Sequence, residues 1–195
     1  FALGARSGLA AVGYYTAPYE GITRMLMIPN SLIGALFPLL TGLGVVAASS
    51  RIDRLFASSM RALVLMMSVP AAIALFFAPV ILRLWMGPEY AAQGEMALRI
   101  LSVGVLINAV AHIPYTFLEA AGRPDVPAKF HMIELVIHVP IAWYLVGAYG
   151  ITGAAIAWTV RVTLDTTFLL IAASRIIPVS LRRVFWSERV AQVAT

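Results

Sequence analysis

GITGAAIAWTVRVTLDTTFLLIAAS, residues 150–174, is almost wholly apolar or small for two dozen positions, yet Arg161 and Asp165 stand in its middle. A run of this length and character is long enough for a helix to cross a bilayer, whose hydrocarbon core asks for about 20 apolar residues. Charges at the centre of such a helix cost roughly 2.5 to 3.5 kcal/mol each, so they face a protein interior or water and find partners. Arg161 and Asp165 are four apart, on one helical face, and can pair with each other.

The rest of the chain agrees with a membrane reading. Of its 195 residues, 61% are hydrophobic and only 12% charged, where soluble domains carry about 25% charge. The expected fold is all-α, a polytopic bundle with five spans at roughly 14–41, 60–84, 97–119, 129–148 and 151–174. SSRIDRLFASSMR, MGPEYAAQGE, AAGRPDVPAK and the short AYG carry the turn or charge signals that separate them. The opening FALGARSGLAA has no methionine and no signal-peptide pattern, and it reads as the continuation of a longer chain. Cysteine is absent, which excludes thiolate metal sites, cysteine nucleophiles and a disulfide framework.

Alternation of the spans divides the 14 basic residues unequally. Arg51, Arg54, Arg61, Arg123, Lys129, Arg175, Arg182, Arg183 and Arg189 fall on one side; Arg6, Arg83 and Arg99 fall on the other. Short loops rich in Lys and Arg stay cytoplasmic, so the SSRIDR loop, the GRPDVPAK loop and a tail over 175–195 are expected inside. The net charge of +5 is thereby assigned to topology and to anionic lipid headgroups, and no nucleic-acid partner is expected. Residues 51–63 have the pattern of a helix lying along the inner interface, and Arg182, Arg183, Phe185, Trp186 and Arg189 that of an interfacial anchor.

Span one repeats the charged spacing, with Glu20 and Arg24 again four apart. Arg24 lies ten residues past Tyr14, and Arg161 ten past Ile151, so both sit about 15 Å into a core about 30 Å thick. Two guanidinium groups at one level suggest a shared anion site, because arginine binds phosphate groups bidentately; two internally neutralised structural pairs are the other reading. Arg24, Arg161, Glu20 and Asp165 are therefore the candidate substrate-binding residues. Pro18, Pro29 and Pro38 bend span one around a cavity or merely shape its packing.

In span four, His131, Glu134 and His138 share one helical face and form a candidate proton relay, or else a hydrogen-bonded group near the wet interface. No HExxH pattern accompanies them, so neither a metal site nor a cofactor is expected. His112 and Glu119 in span three are too far apart to specify a site. GLGVVA at 42–47 matches a dinucleotide fingerprint only on paper, since no strand precedes it. Gly153, Ala154 and Ala157 have the small-residue spacing of close helix packing.

VGYYTAPYEG with ALFPLLTGL downstream, ILRLWMGPEYA, LEAAGRPDVPAK and YGITGAAIAW resemble, in order, the C-terminal half of polysaccharide biosynthesis flippases. These are the O-antigen and exopolysaccharide transporters of the multidrug, oligosaccharidyl-lipid and polysaccharide exporter superfamily. The resemblance covers about residues 12–174 and implies part of one lobe of a two-lobe, non-enzymatic transporter. It implies a bacterial inner-membrane location, and alternating access that moves undecaprenyl-pyrophosphate-linked oligosaccharide in polysaccharide or lipopolysaccharide biosynthesis. Implied partners are that substrate, membrane lipids and a first lobe absent from this sequence. On the same resemblance Arg24 and Arg161 are cavity-lining cations that receive the lipid pyrophosphate. A drug or organic-cation antiporter of the same superfamily, led by Glu20, Glu134 and Asp165, is the alternative.

Overall fold

The computed structural model describes residues 2–45 and 49–185, and every regular element in them is helical. In chain order these are α1 (Ala2–Thr23), a 3-10 turn (Arg24–Leu26), α2 (Met27–Leu43), α3 (Ser49–Phe76) and α4 (Ala78–Met86), followed by α5 (Pro88–Ala120), α6 (Asp125–Ile176) and α7 (Leu181–Phe185). Four segments are long and apolar enough to cross a membrane: Ala10–Leu43, Ser50–Phe76, Pro88–Ala120 and Asp125–Ile176.

The fourth segment, 52 residues, would reach about 78 Å if straight, more than twice the thickness of a hydrocarbon core. It is not straight. Gly150 has φ 55° and ψ −126°, a conformation that only glycine adopts without strain, and the chain folds back on itself there. Gly153 lies against the Leu145 backbone, where a Cβ would overlap the carbonyl oxygen and stand 2.5 Å from the carbonyl carbon. Farther from the turn, Arg161 meets Glu134, Asp165 meets His131, and Phe168 stacks on Phe130. This steady register makes α6 an antiparallel helical hairpin, with arms over 125–149 and 151–176.

α5 is the axis of the bundle, and α1 to α4 and α6 all pack against it. Thr159 Oγ1 donates to the Ile100 carbonyl and Thr166 Oγ1 to the Ile107 carbonyl, so the second arm of α6 runs parallel to α5. α1 runs parallel to it as well, with Gly13 beside Tyr90 and Tyr14 beside Gly94. α3 runs the other way, its Phe56 meeting Phe117 edge to face at 5.1 Å. Gly104 on α5 makes the closest approach to α6: a Cβ there would lie 2.6 Å from the Trp158 ring and 2.7 Å from Thr159 Oγ1. Gly104→Ala is therefore expected to destabilise the full-length protein by about 1 to 3 kcal/mol, seen as a lower thermal midpoint in detergent.

Several expected boundaries are corrected. SSRIDRLFASSMR is neither a break nor a separate interfacial helix, because α3 runs unbroken from Ser49. Ile52, Phe56, Met60, Leu63 and Met67 form a stripe at helical spacing that is buried in the core, with Arg51 and Arg54 exposed on the other side. GPEYAAQGE is not a loop either: Gly87 alone makes the turn, with φ 99°, and Pro88 opens α5, a position where its missing N–H costs nothing. Span one is interrupted by the 3-10 turn at Arg24–Leu26. Pro29 explains the place, since its ring disfavours a normal helical carbonyl at Met25.

One end of the bundle joins the start of α3 to the segment after α6. Buried Asp53 accepts a hydrogen bond from the Ser180 N–H at 2.6 Å and pairs with Arg183 at 2.9 Å, while Arg61 donates to the Arg183 carbonyl at 2.7 Å. The expected interfacial anchor falls largely outside the described residues, which include neither Trp186 and Arg189 nor the side chains of Arg182 and Phe185.

Candidate functional site

Polar side chains on α5 recur at Asn108, His112, Tyr115, Thr116 and Glu119, a spacing that puts them on one helical face. That face borders an open cavity of about 460 Å³, lined on its other sides by Asn30 and Ile33 of α2 and by His131, Asp165 and Leu169 of α6. His112 and Glu119, set aside in the sequence as too distant from each other, thus meet in one chamber with His131 and Asp165. They are two helical turns apart, and the cavity spans both turns. The stripe on α5 was the signal that would have found it.

Local hydrogen bonds hold this wall in place. His112 Nδ1 donates to the Asn108 carbonyl at 2.9 Å, which puts the proton on Nδ1 and leaves Nε2 an acceptor in the neutral ring. Thr116 Oγ1 donates to the His112 carbonyl at 2.7 Å. Tyr115 stacks on the His131 ring with centroids 6.4 Å apart. Asp165 is only 9% exposed, and its Oδ1 has no hydrogen-bond partner among the described residues. The nearest basic side chain is His131, its Nε2 3.5 Å away.

The expected pairings are corrected as well. Arg161 does not pair with Asp165 on its own helix; its Nε donates to Glu134 Oε1 at 3.0 Å across the hairpin. Antiparallel arms set Glu134 opposite Arg161 and His131 opposite Asp165, so each charged group finds its partner on the other arm. Glu134 is 8% exposed, while the Arg161 side chain is 39% exposed, so the pair is buried from its acidic side. With His138 the pair sits in a narrow cleft otherwise lined by aliphatic side chains and Phe168. His131, Glu134 and His138 do share one arm, but His131 opens on the polar cavity and His138 on this cleft.

Glu20 and Arg24 are both exposed, and no ion pair joins them among the described residues. Arg24 lines a third cavity, of about 280 Å³, with Pro18, Trp85 and Leu98. Along α5, Arg24 shares this cavity with Leu98, whereas Thr159 bonds to Ile100 and so puts Arg161, two residues on, about four residues or 6 Å farther along. The two guanidinium groups line different cavities that share no residue, a separation that residue counting along each helix does not reveal.

Comparison with known proteins adds the following. The MatE family profile matches residues 47–144. Over 162 residues, 83% of this chain, the sequence is 31% identical to a Shigella flexneri protein described as "Putative O-antigen transporter". The chain spans 38% of the length of that relative. No solved structure matches the chain.

Proposed function

We propose, from the premise that this chain belongs to the MatE family, that it is part of a flippase carrying lipid-linked oligosaccharide across a bacterial inner membrane by alternating access. The observation that carries this reading is a group of four ionisable side chains between the arms of the hairpin: Arg161 paired with buried Glu134, and His131 beside buried Asp165, the second pair bordering the polar cavity. Structural helices do not need such a group, since desolvation of buried ions can exceed their attraction. A transporter of a charged headgroup does. The resemblance to polysaccharide flippases and the similarity to the Shigella protein support the same reading.

In this proposal the hairpin supplies two crossings, which makes five in all. The Arg- and Lys-rich end, with Arg51, Arg61, Arg123, Lys129 and the C-terminal tail, faces the cytoplasm. Arg161 receives the pyrophosphate as it exchanges Glu134 for the substrate anion. Arg24, on another cavity, is a second cationic contact with Glu20 nearby, rather than the partner of Arg161. Asp165, His131, Glu134 and His138 carry protons between the polar cavity and the hairpin cleft. A first lobe, beyond these residues, completes the pathway.

The test uses the full-length protein in cells lacking their own flippase. Arg161→Ala and Arg24→Ala are expected to leave the protein in the membrane while lipid-linked oligosaccharide accumulates on the cytoplasmic leaflet, more so for Arg161→Ala. Wild-type export by both variants removes the proposed anion contacts.

A further inference from the structure

The carboxylate of Asp165 holds a buried oxygen, Oδ1, that has no hydrogen-bond partner among the described residues. Asp165 is 9% exposed and borders the polar cavity. A buried oxygen of this kind asks for a partner. Its neighbours are unusual: one ligand atom from each of His131, Glu134 and Asp165 lies within 4.8 Å of the other two.

We propose that His131, Glu134 and Asp165 bind a divalent transition-metal ion of the Zn²⁺ or Co²⁺ type, a site that goes beyond the transport reading. The geometry favours an ion over a direct contact. His131 Nε2 and Asp165 Oδ1 are 3.5 Å apart, and no hydrogen bond joins them. Two ligands of a tetrahedral ion, each about 2.1 Å from the metal, stand about 3.4 Å from each other. The observed separation of 3.5 Å admits one ion between the two groups. Glu134 brings the third ligand with a modest side-chain adjustment, for Arg161 engages its Oε1.

Chemistry selects the class of ion. An imidazole with two carboxylates is a nitrogen and oxygen donor set, which suits zinc and its neighbours and not the alkali ions, whose ligands are oxygens. The charge balance agrees. Two carboxylates and one guanidinium leave the quartet at −1 with a neutral imidazole, and a dication brings it to +1, so binding is favourable yet weakened by Arg161. The cavity of about 460 Å³ has room for water as a fourth ligand and gives the ion a way in. Stacking on Tyr115 orients the His131 ring. A search along one helix misses this site, because Asp165 comes from the other arm of the hairpin.

The test is titration of untagged, chelator-stripped full-length protein in detergent at neutral pH with Co²⁺, read by visible absorption, and with Zn²⁺, read by calorimetry. One ion is expected to bind, with Co²⁺ bands of a low-coordinate nitrogen and oxygen site. His131→Gln changes a side chain that is 45% exposed, so the variant folds, and Asp165→Asn preserves shape; each is expected to weaken binding by tenfold or more. His112→Gln is expected to leave binding unchanged. Absence of Co²⁺ bands and Zn²⁺ heat, or equal binding by wild type and both ligand variants, overturns the site.

Discussion

Gly153→Leu is expected to prevent the full-length protein from folding. A Cβ at this position overlaps the Leu145 carbonyl and comes within 3.0 Å of the Val146 nitrogen, and both obstacles are backbone, which cannot rotate away. The two arms of α6 would have to separate. Separation breaks the Glu134–Arg161 bond at 3.0 Å, parts His131 from Asp165, and opens the Phe130–Phe168 stack at 5.4 Å. Losses on that scale exceed about 4 kcal/mol, the exceptional end of single-substitution effects. The measurement is size-exclusion chromatography and thermal unfolding in detergent. Gly34→Ala serves as the comparison, because a Cβ there meets nothing within 4 Å and a helical Gly→Ala change is favourable by about 0.5 to 1 kcal/mol. A monodisperse Gly153→Leu protein with the wild-type midpoint would contradict the hairpin packing.

The second large effect concerns charge. Arg161→Ala leaves the Glu134 carboxylate buried without its cation, at a cost of about 3 to 5 kcal/mol. Arg161→Gln with Glu134→Gln is expected to recover most of that loss, since two amides of similar shape can bond where the ions did. The resulting coupling energy is expected to reach about 2 kcal/mol or more in a double-mutant cycle of unfolding midpoints. Additive losses would mean that the two side chains do not stabilise each other. Arg24→Ala, at an exposed side chain without an ion pair among the described residues, is expected to cost under about 1 kcal/mol.

These expectations also mark how far the sequence could be read. The helical bundle was legible because apolar runs of bilayer length leave few alternatives, and AYG gave the hairpin because a connection so short forces the next helix to return beside the last. Helix starts were less legible. Pro88 and the charges of 51–61 resemble interruptions in one dimension, yet proline is tolerated at the first helical position and arginines can occupy the outer face of a continuous helix.

Partnership did not follow from counting. Spacing of four residues identifies neighbours on one helix but is silent about what an adjoining helix brings opposite. Arg161 and Asp165 each turned to the other arm, and His112, Glu119 and Asn30 entered one cavity from positions far apart in the chain. Such contacts depend on helix rotation, which the sequence specifies only through the sum of its packing.

In the proposed mechanism Arg161 is an anion receptor held in reserve by Glu134. The most direct test is equilibrium binding of a fluorescent undecaprenyl-pyrophosphate oligosaccharide to purified full-length protein, wild type against the Arg161→Gln/Glu134→Gln pair, whose fold the unfolding midpoint certifies. Binding is expected to fall by tenfold or more in the double variant. Equal affinity in the two proteins would contradict the claim.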